Sequence, residues 1–381
     1  MSLIPADNSL TLAAILLGLA WLGFWIDTKP IGRKTSGVIW VLGAGVLLSN
    51  FSIIPYEAPV YGFVGGTLMP MAIPLLLFKA DLRRIFRESG RVMITFLIAS
   101  AATVAGAMIG FLLLDLGDIG PKVAGAYTGG WIGGAVNLVA VSEAVKMTPT
   151  EASLVLSASN PVSLTALALL LAITTVGWFA RFIPTAFNDD MSDEERKKMA
   201  ETDAPRLIPS HVTGVLALSL GVCALAGLIG DLTGTRDYNI LTITVLALVV
   251  ANVIPGILRQ VQGEFELGMM LMYIFFAMIG AGTNATIFLE SAVILFVFGM
   301  MMIIIHLAIV LVSARLLKID LAEAVVGSGA ALVGPAVTAA IAISKGWRPL
   351  VTPAIMCGVF GYAIGTFIGY AVAYLLSGGS L

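Results

Sequence analysis

Charged residues are scarce in this chain: Asp, Glu, Lys and Arg make up 12% of its 381 residues. Soluble domains usually carry about 25% charged residues, so the composition excludes an ordinary water-soluble protein. Apolar residues instead make up 59% of the chain, and its mean hydropathy is +1.00. Apolar stretches recur along the sequence, and stretches of about 18 residues are long enough to cross a bilayer as a helix. The composition therefore predicts an all-α polytopic membrane protein.

Cysteine and histidine are also rare, with two of each. Cys223 and Cys357 lie inside apolar runs, where we expect small buried hydrophobes, and two cysteines exclude a disulfide framework or metal cluster. His211 and His306 are far apart in sequence and lack nearby acidic or cysteine ligands, which argues against a zinc site. The sequence has no HExxH pair and no pair of embedded aspartates. We therefore expect neither an enzyme nor a cofactor, apart from a bound Na⁺.

Twelve apolar runs form two groups of six, and one long polar segment separates the groups. We interpret 1–180 as a first membrane repeat, 181–210 as a cytoplasmic linker, and 211–381 as a second membrane repeat. Ser192 followed by Glu195 has the spacing of a capping box, which predicts the start of a short surface helix inside the linker. The apolar runs are 9–26, 36–54, 60–80, 91–115, 121–145, 151–180, 211–230, 239–258, 264–283, 290–316, 321–344 and 350–376.

The two groups are related by sequence as well as by number. Asn50 matches Asn252, and Gly66 matches Gly268, both at an offset of 202 residues. At an offset of 201 residues, one fewer than for those pairs, Gly-Gly-Ala-Val-Asn at 133–137 matches Gly-Pro-Ala-Val-Thr at 334–338. A duplicated membrane protein with a glycine-broken apolar segment in each half is typical of secondary transporters.

The basic residues bear on the orientation of the two halves. If the broken segment of each half enters and leaves on one face, each half has five crossings and the halves are inverted. This arrangement places 18 of the 21 Lys and Arg residues on the cytoplasmic side, as the positive-inside rule requires. If the five basic residues of the linker are left out, the inverted arrangement places 13 basic residues inside and 3 outside. An arrangement in which all runs cross places 12 on one side and 4 on the other. We predict inverted repeats with the N-terminus outside.

The two broken segments carry the predicted solute site. Five glycines in ten residues at 125–134 will not hold a straight helix, and Pro335 blocks a helix that approaches it but suits the first turn of a new one. Free amides where the second arms begin are a ready site for a carboxylate. Glycine used for tight helix packing is the alternative. The predicted solute-binding residues are Gly129, Gly130, Gly133, Gly134, Asn137, Gly334, Pro335 and Thr338.

Five other polar residues inside apolar runs are candidate cation ligands. Asn50 and Asn252 each precede a proline, so they either ligate an ion or satisfy backbone that the proline frees. Glu143 is either an embedded functional carboxylate or a surface group near Lys146. Ser157 and Asn160 lie beside Pro161 and complete the set.

His306 lies deep in an apolar run, and its repeat position holds Val104. A histidine in that setting either titrates and moves a proton, or it stays neutral and bonds to a neighbouring helix. The sequence leaves both alternatives open.

The plan of broken, duplicated segments resembles the cation:proton antiporter and anion-transporter superfamily, which includes bile-acid, 2-hydroxycarboxylate and glutamate sodium symporters. The glycines of 129–134 resemble the re-entrant-loop motif of the carboxylate symporters, whereas 328–335 lacks the paired glycines. Most of the chain is also similar to the YjcL-like bacterial membrane family. The resemblance implies inverted five-helix repeats, a moving core domain, and a scaffold domain that forms a homodimer.

These observations together predict a multi-pass protein of the bacterial inner membrane that carries solute by alternating access. Its partners would be the lipid bilayer, a small organic anion or zwitterion, and Na⁺ or H⁺ as the coupling ion, with no nucleic acid. A cation/proton antiporter without an organic substrate is the alternative. Such an antiporter usually needs a pair of embedded acidic residues, and this chain offers only Glu143.

Overall fold

The computed structural model describes residues 2–29, 37–187, 192, 194–195 and 207–380, without the side chains of 286–291. Most of the predicted linker and the basic pair Arg33 and Lys34 lie outside these residues.

The described chain is helical throughout its regular structure, and it contains no strand. Short 3₁₀ turns at Gly117–Ile119, Arg236–Tyr238 and Arg348–Leu350 precede three of the helices. The helices are α1 (Ser9–Asp27), α2 (Gly37–Asn50), α3 (Pro59–Leu77, π-helical at Val64–Leu68), α4 (Leu82–Glu88), α5 (Gly90–Leu113), α6 (Gly120–Ala144), α7 (Pro149–Thr175), α8 (Gly177–Phe182), α9 (Pro209–Thr233), α10 (Asn239–Val253), α11 (Pro255–Leu258), α12 (Glu264–Ala281), α13 (Ala285–Leu316), α14 (Leu321–Leu332), α15 (Gly334–Ser344) and α16 (Val351–Leu376).

Nine helices among the described residues are long and apolar enough to cross a membrane. They are α1, α3, α5, α7, α9, α10 with its 3₁₀ turn, α12, the Ala292–Leu316 part of α13, and α16 with its 3₁₀ turn. The all-α membrane fold predicted from the composition is confirmed. In both halves the broken segment stands directly before the last long helix. The inversion of the halves stays a prediction.

Local chemistry explains where several helices begin and end. Asn8 accepts a hydrogen bond from the Thr11 amide at the start of α1 (3.2 Å), and Gly234, with φ of 71°, follows the end of α9. Asp320 and Glu323 form a capping box that starts α14. Ser192 and Glu195 make the reciprocal bonds of the predicted capping box as well: the Ser192 amide donates to Glu195 Oε2 at 3.0 Å, and the Glu195 amide donates to Ser192 Oγ at 3.3 Å.

The chain forms two compact units, and each takes segments from both halves of the sequence. The first unit comprises 1–79, 142–161 and 205–296. In it α2 and α12 approach closely through glycines: a methyl group added at Gly45 would lie 2.8 Å from the Ala277 carbonyl oxygen. Asp27 accepts hydrogen bonds from Tyr273 and from the Gly37 amide, which ties α1, α2 and α12 together. The repeat boundaries at 180 and 211 stay a prediction.

The second unit comprises 80–141, 162–204 and 297–381. Both broken segments belong to it, since it contains α6 as far as Val141 and all of α14 and α15. α16 packs against α5, α14 and α15 within this unit. The unit thus gathers the two predicted site segments around one long helix.

Candidate solute site at two hairpin turns

The first broken segment folds back on itself. α6 loses helical geometry at Gly133 (φ −126°, ψ 16°) and Gly134 (φ 73°, ψ 178°). A methyl group added at Gly129 would lie 2.7 Å from Cγ2 of Val141, although residues 12 apart in a straight helix are about 18 Å apart along its axis. The segment is therefore a helical hairpin with its turn at Gly133 and Gly134.

The second broken segment does the same with different residues. α14 ends at Leu332, Val333 has φ −126° and ψ 0°, and Gly334 has φ 80° where α15 begins. A Cβ at Gly329 would lie 3.5 Å from Cβ of Thr338, across the two arms. With 12 and 11 residues, the arms reach about 18 and 16 Å, roughly half of the ~30 Å hydrocarbon core. Both predicted helix breaks are present, and both segments fold back on themselves.

The two turns meet at one turn of α16. Gly361 of α16 lies against the carbonyl oxygen of Ile132, next to the first turn. A methyl group added at Gly358 would lie 2.7 Å from Cα of Pro335, at the second turn. Three residues of helix rise only about 4.5 Å, so both hairpins present their turns to the same short stretch of α16.

Two facing rows of glycines, here called the glycine seam, pack the first hairpin closely against α16. Gly125, Gly129 and Gly133 face Gly369, Gly365 and Gly361 in antiparallel order, and a methyl group added at Gly365 would lie 2.8 Å from the Gly129 carbonyl oxygen. Gly130 faces Leu138 of the other arm. Of the four predicted site glycines in this hairpin, Gly134 is the one that is partly exposed. The packing role left open by the sequence thus describes Gly129, Gly130 and Gly133 in the structure.

Asn137 fastens the second arm of the first hairpin. Its amide nitrogen donates to the Gly133 carbonyl, and its Oδ1 accepts from the amide and hydroxyl of Thr366 on α16, with 3.0 Å to the amide nitrogen. Asn137 is 3% exposed. Its amide group is therefore occupied by the protein, and its solute-binding role stays a prediction.

The second turn combines a glycine with positive φ and an uncapped helix start. Pro335 lies in the first turn of α15, and no described side chain caps the N-terminus of that helix. Thr338 is buried and donates to the Gly334 carbonyl at 2.7 Å. Gly334, Pro335 and the following Ala336 are at least partly exposed. The first amides of α15 are thus free to meet a ligand.

The segments that form both turns and α16 carry no formal charge. The segments 123–142, 324–344 and 349–381, which contain the turns and α16, include no Asp, Glu, Lys, Arg or His. Any charge on a bound solute would meet only helix ends, hydroxyls and amides in these segments.

His306 joins three helices of the second unit. One ring nitrogen, Nδ1, lies 2.9 Å from Oγ1 of Thr103 on α5, and Nε2 lies 2.6 Å from Oγ of Ser328 on α14. The imidazole is 1% exposed. Of the two alternatives, the structure shows the histidine bonded to neighbouring helices, and one of those helices is an arm of the second hairpin.

The predicted cation ligands are spread along the first unit. Asn50 is fully engaged: its amide nitrogen donates to the carbonyls of Val46 and Thr283 (2.8 Å each), and its Oδ1 accepts from the Tyr56 hydroxyl and the Ala285 amide. Asn252 donates to the Leu248 carbonyl at 2.8 Å.

A second group of predicted ligands lies on one turn of α7. Pro161 cannot donate to the Ser157 carbonyl, so that oxygen lacks its helical partner. Asn160 donates to the Leu156 carbonyl at 3.0 Å, which leaves its Oδ1 without a partner among the described residues. Glu143 is half-buried, and its carboxylate has no partner in the described part of the chain.

Sequence inspection missed the α16 side of the site. Gly361, Gly365 and Gly369 repeat at every fourth position, as Gly125, Gly129 and Gly133 do, and this shared spacing was the available signal. Thr366 and Tyr362 carry no comparable signal, because one polar residue in an apolar helix does not indicate its partner.

Comparison with known proteins agrees with this architecture. The family model described as "Protein of unknown function (DUF819)" matches residues 14–378. The uncharacterized membrane protein YjcL of Bacillus subtilis (strain 168) is 30% identical over 376 residues, which cover 94% of this chain and 92% of YjcL. The chain therefore belongs to the DUF819 family, and it is a multi-pass membrane protein.

Proposed function

We propose that this protein is a secondary active transporter that moves a small organic anion or zwitterion by alternating access, coupled to Na⁺ or H⁺. The observation that carries the proposal is the meeting of two helical hairpin turns at Gly358–Gly361 of α16. A structural bundle has no need of two interrupted segments at one point.

Interrupted helices in a membrane require partners for their ends. Each unpaired amide or carbonyl in hydrocarbon costs several kcal/mol, so such ends persist where protein, water or ligand satisfies them. The N-terminus of α15 has free amides, and a helix start carries about half a positive charge. These groups suit a carboxylate or a similar oxyanion.

The absence of formal charge in the segments that form the turns and α16 restricts the solute. Transfer of a net charge into a site of low polarity costs several kcal/mol unless an opposite charge accompanies it. A monoanion that enters with one cation has no net charge, whereas a zwitterion that enters with one cation carries one positive charge. We infer that the neutral pair of a monoanion and one cation is what the site accepts.

Sodium is the coupling ion that the oxygen atoms of α7 favour. The Ser157 carbonyl, to which Pro161 cannot donate, lies on one turn with the Ser157 hydroxyl and Asn160 Oδ1. Neither of these two side-chain oxygens has a partner among the described residues. Hard cations take such neutral oxygen ligands. Proton coupling through His306 is the alternative within the same function.

The resemblance to the anion-transporter superfamily supports the same conclusion. From it we also propose a location in the bacterial inner membrane with the N-terminus outside, a homodimer, and transport without enzymatic turnover. The linker at 181–210 would then be cytoplasmic.

The test is a thermal-shift screen of the purified full-length protein against carboxylates and amino acids, with NaCl or choline chloride. A ligand that binds the folded state raises the melting temperature by mass action, by about 2.7 kcal/mol of stability at 100 times its Kd. Stabilising compounds are then tested for uptake into proteoliposomes. A protein that no tested solute stabilises, and that shows no uptake driven by sodium or proton gradients, contradicts the proposal.

A cation/proton antiporter remains the second candidate because of Glu143. A half-buried carboxylate without a described partner is a candidate for binding protons and cations in turn. Sodium flux that depends on pH, needs no organic solute and disappears in Glu143→Gln would favour this function over the first.

A further inference from the structure

The aromatic ring of Tyr362 lies against the first hairpin turn. It follows Gly361 on the stretch of α16 where both turns meet. A Cβ at Gly134 would lie 3.1 Å from Cε1 of Tyr362 and 3.9 Å from its Cδ1. The Cδ1–Cε1 edge of the ring therefore faces the turn, and the hydroxyl lies more than 4 Å from the added Cβ, which leaves room for a ligand atom between them.

The hydroxyl of Tyr362 has no hydrogen-bond partner among the described residues, and the side chain is half-buried. Tyrosines elsewhere in the chain do find partners: Tyr61 donates to the Pro55 carbonyl at 3.2 Å, and Tyr273 donates to Asp27. A partly buried phenol usually has such a partner. The Tyr362 hydroxyl is therefore a free donor beside an exposed turn.

A second unsatisfied donor lies in the first hairpin itself. Trp131 lies two residues before Gly133, it is 3% exposed, and its indole N–H has no partner in the described part of the chain. An indole nitrogen can only donate. Two unsatisfied donors in a region without Lys, Arg or His favour a ligand rich in acceptor atoms.

We propose that Tyr362 contacts the solute and determines its specificity, by donating its hydroxyl hydrogen to a carboxylate oxygen of the solute held at the Gly134 turn. This inference rests on the proposed transport function and names the group of the solute that this site recognises. Recognition by a neutral donor keeps the site free of formal charge.

The experiment compares Tyr362→Phe with wild type in the full-length protein. A carboxylate that stabilises the wild type, found among pyruvate, lactate, benzoate and glutamate, serves as the probe, and its Kd is measured by isothermal titration calorimetry in NaCl. Loss of a hydrogen bond to a charged group weakens binding by about 10- to 100-fold. Tyr374→Phe, an exposed tyrosine on the same helix, is the matched control and should leave Kd unchanged. The melting temperature of both variants without ligand should equal that of wild type.

A second measurement uses wild type alone, so that it does not depend on the folding of a variant. The methyl ester of the probe should bind about 10-fold or more weakly than the carboxylate, because the ester accepts weaker hydrogen bonds. Equal affinity for both compounds, or a Tyr362→Phe Kd within about twofold of wild type, overturns the role of Tyr362 and leaves the transporter proposal intact. If no carboxylate binds the wild type, the proposed function itself fails, and this inference fails with it.

Discussion

Single residues decide the geometry of the hairpin turns. Gly134 combines φ of 73° with ψ of 178°, a region that essentially only glycine occupies. The Tyr362 ring lies beside it, so an added side chain would meet both backbone strain and an aromatic edge. The first turn therefore depends on glycine at this position for two independent reasons.

We expect Gly134→Ala to lower the free energy of unfolding by about 1–3 kcal/mol, since alanine is strained in this backbone conformation. Thermal melts of the detergent-solubilised protein measure the loss. Gly221→Ala is the control, because Gly221 lies within α9 with nothing within 4 Å of an added methyl group. Alanine there should be neutral or slightly stabilising. Equal melting temperatures for the two variants would contradict the described turn.

Asn137 and Thr366 should behave as one coupled unit. Asn137→Ala leaves the buried Thr366 hydroxyl without its acceptor and the Gly133 carbonyl without its side-chain donor, and we expect a loss of about 1–3 kcal/mol. Thr366→Val removes the hydroxyl alone and should cost about 1 kcal/mol. The double variant should deviate from additivity by about 0.5–3 kcal/mol in a double-mutant cycle. Strictly additive losses would show that the two side chains do not interact.

At the scale of elements, the two hairpins reach the same shape by different means. The first uses paired glycines at its turn and a glycine seam against α16, whereas the second uses Gly334 with Pro335 at the start of α15. A fold-back shape places residues nine positions apart in contact, which no continuous helix can do. Cross-linking can therefore distinguish the two shapes.

We expect Gly329→Cys with Thr338→Cys to form a disulfide, in a background where Cys223 and Cys357 are replaced by alanine. The Cβ separation of 3.5 Å lies in the range that disulfides adopt. In a continuous helix the two positions would be about 13 Å apart. Mobility on a non-reducing gel, or mass spectrometry after proteolysis, detects the bond. Gly329→Cys with Ser344→Cys, about 9 Å further along α15, is the control pair and should stay reduced.

At the scale of the whole molecule, ion pairs among the described residues lie near helix ends. Arg91 pairs with Glu323 (3.7 Å), and Lys79 pairs with Glu264 (2.7 Å), whereas the segments that form the turns hold no charged side chain. A solute site built of neutral groups should bind a solute and coupling ion whose charges sum to zero. Transport by such a site would not move charge across the membrane.

We therefore expect solute uptake to be insensitive to membrane potential. In proteoliposomes, a potential of about 100 mV set with potassium and valinomycin should leave the accumulation ratio unchanged. One uncompensated charge would change that ratio by about 50-fold, because 100 mV is worth about 2.3 kcal/mol per charge. A potential-dependent ratio would show that the site carries a net charge during transport.

The prediction from sequence succeeded where a signal is local. The length of the apolar runs predicted the membrane fold. The low helix propensity of clustered glycines and the helix-breaking effect of Pro335 located both helix breaks. The assignment of Asn137 and Gly129 to the solute site had no such basis, because one residue type serves both packing and binding. In the structure their contacts are with Thr366 and Gly365, more than 200 residues away in sequence.

Composition and periodicity alone determined that this chain enters a membrane as helices and that two of its segments are interrupted, since both follow from the cost of charge and unpaired backbone in hydrocarbon. Only the tertiary structure decided that the interrupted segments fold back, that their turns meet on α16, and that Tyr362 lies beside them. The reason is that these contacts join residues far apart in sequence, and packing between helices, which no local pattern encodes, brings them together.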